Sequence, residues 1–145
     1  MMSVKQISVF LENRPGCLNE MTQALADAKI DLRGLSLAET SDFGIVRLIV
    51  DDVLSTATVL KDAGFVASMT DVLAVEVPNV PGGLNKVLGI IKTAGVNIEY
   101  MYAILGNKKS ETAYMIFKVN DNDKAASALE LAKVTILDQA ALSAL

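Results

Sequence analysis

Two stretches of this chain, 66 residues apart, are versions of one sequence, and that repeat restricts the possible folds more than any other feature. Residues 15–32 read PGCLNEMTQALADAKIDL and residues 81–98 read PGGLNKVLGIIKTAGVNI. Pro15, Gly16, Leu18 and Asn19 return as Pro81, Gly82, Leu84 and Asn85, and Ala28 returns as Ala94. Further on the spacing becomes 69, which sets Val50 on Val119, Ala57 on Ala126 and Leu60 on Leu129. The three extra residues fall near Gly106-Asn107-Lys108-Lys109, a turn-like stretch of the kind that tolerates insertion. The 145 residues therefore divide into two units, 1–70 and 71–145.

Each unit shows the same order of elements. Residues 5–11 and 72–77 are β-rich and open the units. Pro-Gly follows, and then a helical pattern. Leu18, Met21, Leu25 and Ala28 fall at i, i+3, i+7 and i+10, and Leu84, Val87, Leu88, Ile91 and Ala94 form the corresponding stripe. Single apolar stripes predict surface helices. Two strands come next, at 31–40 and 43–50, then at 97–105 and 112–119. Second helices are predicted at 52–63 and 121–132, and short closing strands at 65–69 and 134–137. The order βαββαβ, twice over, is an α+β arrangement. It predicts two ferredoxin-like units, each an antiparallel sheet with its helices on one face. A unit of this size buries only about 60% of its unfolded surface and is marginal alone. No Gly/Ser-rich linker separates the two units, so a compact pair is expected.

Composition removes whole classes of function. The chain has no histidine, which excludes histidine-based triads, histidine acid/base catalysis and histidine-containing metal sites. Its one cysteine, Cys17, allows neither an intramolecular disulfide framework nor a multi-cysteine metal site. No catalytic residue, metal site or cofactor is expected. The charge is −4, and the halves hold 6 basic against 9 acidic and 7 basic against 8 acidic residues. Nucleic acid is thereby disfavoured as a partner, despite Tyr100, Tyr102, Tyr114 and Phe117 as possible stacking groups. The longest stretch free of charged residues is nine, between Glu76 and Lys86, where a membrane span needs about twenty. The opening MMSVKQISVFLE lacks the pattern of a signal peptide, so a cytoplasmic chain without membrane attachment is expected.

Candidate binding residues cluster where each first strand turns into its helix. These loops read Glu12-Asn13-Arg14-Pro15-Gly16 and Pro78-Asn79-Val80-Pro81-Gly82-Gly83. Proline suits a helix start because it has no amide hydrogen to lose. Glycine admits close approach to the backbone. Helix-start amides carry partial positive charge that suits a carboxylate or phosphate. A tight turn explains one such loop equally well. In both loops, however, an asparagine stands two residues before the proline, offering two donors and an acceptor. Asp31 and Asn97 each lie 15 residues beyond their glycine, where such residues also cap turns. Arg14 could pair with a carboxylate or simply be solvated, and Cys17 sits in a first helical turn, where a thiol pKa can fall.

These loops, with Leu18 and with Gly95-Val96-Asn97-Ile98, resemble ACT domains, the small-molecule-sensing modules of amino-acid metabolism. The loop motif is similar to that of the regulatory domain of D-3-phosphoglycerate dehydrogenase. The resemblance covers residues 5–137 as a tandem pair. It implies sheets set edge to edge and an amino acid bound at the interface of the units. One pocket would join Asn13, Arg14, Pro15, Gly16, Cys17 and Leu18 to Asn97. The other would join Asn79, Val80, Pro81, Gly82, Gly83 and Leu84 to Asp31. The chain departs from the dehydrogenase pattern at Leu11 and Val77, where a histidine is expected. Asp31 also replaces an expected asparagine. As an acceptor-only carboxylate it favours an ammonium group and repels a carboxylate.

The expected function is that of a non-catalytic regulatory protein that binds an amino acid and acts on a partner enzyme. The alternative is a scaffold or regulatory subunit with empty pockets, like the small subunits of acetolactate synthase-like enzymes. A small enzyme on the same frame is disfavoured by the missing histidine and the missing acid/base pair. A homodimer is also expected, because strand 112–119 is apolar on both faces. Its contact would include Tyr100, Tyr102, Met115 and Phe117.

Overall fold

The computed structural model describes residues 2–39, 42–106 and 111–145. Asn107, Lys108 and Lys109, where the repeat spacing changes, lie outside the described residues. The chain forms β1 (Val4–Glu12), α1 (Cys17–Asp27), β2 (Gly34–Glu39), β3 (Phe43–Ile49), α2 (Val53–Asp62) and β4 (Val66–Pro78). It continues with α3 (Gly83–Thr93), β5 (Ile98–Ile104), β6 (Thr112–Val119), α4 (Asn122–Leu131), β7 (Ile136–Leu137) and α5 (Gln139–Ser143). Two compact units result. One is Lys5–Thr70, and the other is Asp71–Leu145 together with the first residues through Val4. Met2 packs against the core of the carboxy-terminal unit, which places the start of the chain there and not with residues 5–70.

Both units have the βαββαβ order and antiparallel pairing that the repeat predicts. In the amino-terminal unit the strand order is β2-β3-β1, with the opening stretch of β4 as fourth strand. In the carboxy-terminal unit the order is β5-β6-β4, and β7 pairs with the other side of β4. The two strands expected at 65–69 and 72–77 are one continuous strand of 13 residues. Nothing between Val66 and Val77 breaks an extended backbone, since that stretch holds neither glycine nor proline. The short helix α5 was not anticipated. Five residues are too few to show a period, and its signal is Asp138, whose carboxylate accepts the Ala141 amide hydrogen at 2.8 Å.

Each core lies between one sheet face and two helices. In the amino-terminal unit Ile7, Val9, Leu11, Val46 and Leu48 face Met21, Leu25 and Leu60. In the carboxy-terminal unit Leu73, Val75, Val77, Phe117 and Val119 face Val87, Ile91, Ala125, Ala126 and Leu129. Burying each large side chain stabilises its unit by roughly 1.5–3 kcal/mol. The α1 stripe is turned slightly from its expected position. Cys17, Met21 and Leu25 are buried, and Ala28 is the exposed cap residue.

The outward face of β6 differs from expectation. Met115 and Phe117 pack on the helix side. The helix-free face carries Tyr102, Tyr114 and Ile116, since Ile116 pairs with Tyr102 and Ala74. Ile116 is fully buried within the single chain, and Tyr102 and Tyr114 nearly so.

Candidate functional site

The two Pro-Gly loops adopt one geometry. The Cys17 amide donates to the Arg14 carbonyl at 3.3 Å and the Gly83 amide to the Val80 carbonyl at 3.0 Å. The second central residues, Gly16 and Gly82, have φ of 85° and 84° with ψ near zero. Proline followed by left-handed glycine within an i→i+3 hydrogen bond is the type II turn. The prolines therefore preset the turn and do not occupy the first helical position. The positive φ is what requires glycine at 16 and 82, because a Cβ at either would meet nothing within 4 Å. Gly83 is held by crowding, since a Cβ there would collide with the Pro78 carbonyl oxygen.

The helices that follow start differently from the others. The Asp52 carboxylate accepts the Ser55 amide at the start of α2, and Asp121 accepts the Lys124 amide at the start of α4. Helices α1 and α3 begin at glycine with no side-chain cap. The first-turn amides of Leu18 and Asn19, and of Leu84 and Asn85, thus face no capping side chain. Their aligned dipoles leave partial positive charge that an anion can satisfy. Glu20 is an acid in the first turn of α1, and α3 has none.

The loops differ in their side chains. Arg14 donates to both carboxylate oxygens of Glu20 at 2.9 and 3.1 Å and to Glu12 at 3.2 Å. This clamp holds the Glu20 carboxyl below its ordinary range, chiefly through the hydrogen bonds, and raises the Arg14 guanidinium further. The repeat sets Val80 opposite Arg14 and Lys86 opposite Glu20, so the second loop has no such clamp. Beside the first loop, Leu11, Asn13, Arg14, Cys17, Leu18 and Leu37 line a groove of about 80 Å³. Ligand pockets run to about 300 Å³ or more, so this groove is too small to enclose a whole ligand. Cys17 is 5% exposed and forms part of the core, which makes it an apolar wall of the groove.

Asp31 and Asn97 are exposed. Asn97 directly precedes β5, and its amide donates to the Asn120 side chain at 2.9 Å while its carbonyl accepts the Asn120 amide at 3.1 Å. Asp31 stands three residues before β2, beside Arg33, whose guanidinium binds Asp51 at 3.0 and 3.2 Å. Asp51 is the main cause of the raised Arg33 pKa, with Asp31 a lesser one. The chain runs the length of α1 between the first loop and Asp31, about 16 Å for its 11 residues. Each unit therefore gathers its own loop residues and holds its own Asp31 or Asn97 at the far end of the helix. Sequence reasoning missed Glu20, which comparison with Lys86 in the repeat flags. It also missed Leu37, which only β-pairing brings to the groove.

No helix of the described residues is long and apolar enough to cross a membrane. Among them no group of three or more histidine, cysteine, aspartate or glutamate residues is placed to hold a metal ion.

The sequence model of a family described as an ACT domain pair matches residues 2–145. No curated protein matches the sequence. Among solved structures, protein BT0572 from Bacteroides thetaiotaomicron is 42% identical, with a TM-score of 0.91 over 99% of this chain and 98% of that one. The ligand-free regulatory subunit of aspartate kinase from Thermus thermophilus is 19% identical, with a TM-score of 0.66 over 89% and 90%. The same subunit from Thermus flavus is 19% identical, with a TM-score of 0.59 over 92% and 94%. The likeness to these two subunits is one of fold.

Proposed function

The chain belongs to the ACT domain pair family, and from that premise we propose that it is a non-catalytic, cytoplasmic amino-acid sensor that regulates a partner enzyme of amino-acid metabolism. The observation that carries this reading is the pair of glycine-started, uncapped helices behind matched Asn-x-Pro-Gly turns. The ligand carboxylate docks at the first-turn amides, and Asn13 or Asn79 orients it. The rest of the ligand is held from outside the unit that owns the loop, by Asn97 at the first loop and by Asp31 at the second. The three aspartate-capped helices offer no such vacancy.

Thermal-shift titration with the twenty amino acids tests this reading. A ligand at about 100 times its Kd adds about 2.7 kcal/mol of stability. A flat response to all twenty refutes the sensor and favours the alternative, a regulatory subunit or scaffold acting through protein contacts alone. The Arg14–Glu20 clamp supports that second reading for the first loop, because it already supplies an anion to the strongest cation there.

A further inference from the structure

Leu131, at the end of α4, is 86% exposed. It does not stand alone, for Ile90, Ala94 and Ala128 join it along a groove of about 590 Å³ between α3 and α4. Among the described residues Lys86, near the start of α3, is the only charged one in the lining. Lys124 continues the α4 stripe of Ala128 and Leu131 at i, i+4 and i+7. Its Nζ lies 3.6 Å from where a Cβ on Gly95 would stand, just past the end of α3. The rise from Lys86 to Gly95 is about 13 Å, so the two lysines stand at opposite ends of α3. Among the described residues neither forms an ion pair. The fold itself does not require an apolar surface here. Helix α1 packs on α2 as α3 packs on α4, yet the repeat sets Glu20 on Lys86, Asp27 on Thr93 and Asp62 on Leu131. These three acids are exposed, with Ala24 and Val59 half-buried between the helices. Among the described residues Asp27 and Asp62 form no ion pair, and Glu20 shares Arg14 with Glu12.

We infer that the α3–α4 groove is a docking surface for a second copy of this chain, which seats the α1–α2 face of its amino-terminal unit there. An apolar floor with lysines at its ends meets three carboxylates set around small and apolar side chains. Two α3–α4 faces would oppose lysine to lysine, and two α1–α2 faces would oppose acid to acid. Like charges facing each other suppress such pairings. Only unlike faces match, so the contact is heterologous. Apolar surface rimmed by polar residues marks an interaction site, and burying Leu131 removes the most exposed large apolar side chain of the described residues from water. The contact uses the helices and not the sheet face around Tyr100 and Tyr102, and it depends on neither a bound ligand nor the loop asparagines.

The test is sedimentation velocity on the full chain over a range of concentrations. The wild-type chain should self-associate with a Kd below about 100 μM. Leu131→Asp breaks one face, and Asp27→Lys with Asp62→Lys breaks the other. Each variant alone should associate about tenfold or more weakly. Mixed in equal amounts, the two should associate about tenfold more tightly than either alone, because the mixture holds one intact face of each kind. Leu54→Asp is the control. Leu54 is 74% exposed, and its repeat counterpart Asp123 lies outside the groove, so association should stay within about twofold of wild type. All the substituted side chains are exposed, so the variants should keep the fold. A wild-type chain that stays monomeric at about 100 μM overturns the inference and leaves the groove to a different partner. A Leu131→Asp Kd within about twofold of wild type overturns it as well. So does a mixture no tighter than its components, since like faces then meet. The sensor reading is tested separately by the amino-acid thermal shifts and stands or falls on those alone.

Discussion

Gly83→Ala and Gly89→Ala place the same methyl group in the same helix with opposite expected effects. At position 83 the added Cβ collides with the Pro78 carbonyl oxygen and lies 3.0 Å from the carbonyl carbon and 3.3 Å from the proline Cβ. All of these belong to the backbone or a rigid ring, so no rotamer change relieves the overlap. Either the start of α3 or the end of β4 must move, and overpacking of this kind costs about 1–3 kcal/mol. Alanine recovers about 1 kcal/mol through helix propensity, which leaves a net loss of up to about 2 kcal/mol. At position 89, within α3, a Cβ meets nothing within 4 Å. Only the propensity gain of about 0.5–1 kcal/mol remains. The variants should thus differ by about 1–3 kcal/mol, or roughly 3–15 °C in melting temperature at this size. Scanning calorimetry of the two side by side reads the difference, and propensity cancels between them. If Gly83→Ala melts at or above Gly89→Ala, the close approach of α3 to Pro78 does not hold the glycine in place, and the crowding argument is wrong.

Asn97→Ala should weaken amino-acid binding at the first loop about ten- to a hundredfold, because a hydrogen bond to a charged group contributes about 1.5–3 kcal/mol. Asp31→Ala should act on the second loop and leave the first unchanged; calorimetry within twofold of wild type for both would sink the loop sites. The folded-state pKa of Glu20 is depressed by Arg14, so the clamp's contribution is present above the ordinary glutamate pKa of about 4.3 and is lost as pH falls through the lowered value. An Arg14/Glu20 double-mutant cycle should therefore show a coupling near neutral pH that disappears on acidification, small throughout because both groups are exposed. Asp121→Ala should cost about 1 kcal/mol by uncapping α4, and a urea midpoint equal to wild type would show that the Lys124 amide finds another acceptor.

The repeat made most of the fold legible, and where it failed the cause is physical. The expected starts of α2 and α4 coincide with Asp52 and Asp121, which cap them. The loops were located by Pro-Gly, although the prolines precede the helices as part of a turn and do not open them. The facing of β6 was not, since a strand apolar on both sides has a period of two without a sign. Only the register with Leu73 and Ala74 decides that Phe117 points to the helices and Ile116 away. The Arg14–Glu20 clamp spans six residues and depends on the turn bringing a loop residue back over the first helical turn. Cys17 sat where a reactive thiol is possible, but the rotation of the α1 stripe put it in the core.

The two units keep one backbone and spend their side chains differently. Left-handed residues recur at matched helix ends, Lys29 with Gly95 and Gly64 with Lys133. The conformation is common to the repeats, and the residue that adopts it is not. The same holds at the loops, where two type II turns of equal geometry carry Arg14 and Glu20 in one unit and Val80 and Lys86 in the other. An opposite-charge pair closes the first helix start on itself. An apolar residue and an unpaired lysine leave the second open. A ligand carboxylate arriving at the first loop must compete with Glu20 for Arg14, and at the second it meets no competing acid in the first turn of α3. Equal affinity at the two loops is therefore the outcome these residues oppose. The second should fill first, and the first should gain ligand affinity when Glu20 is replaced by glutamine.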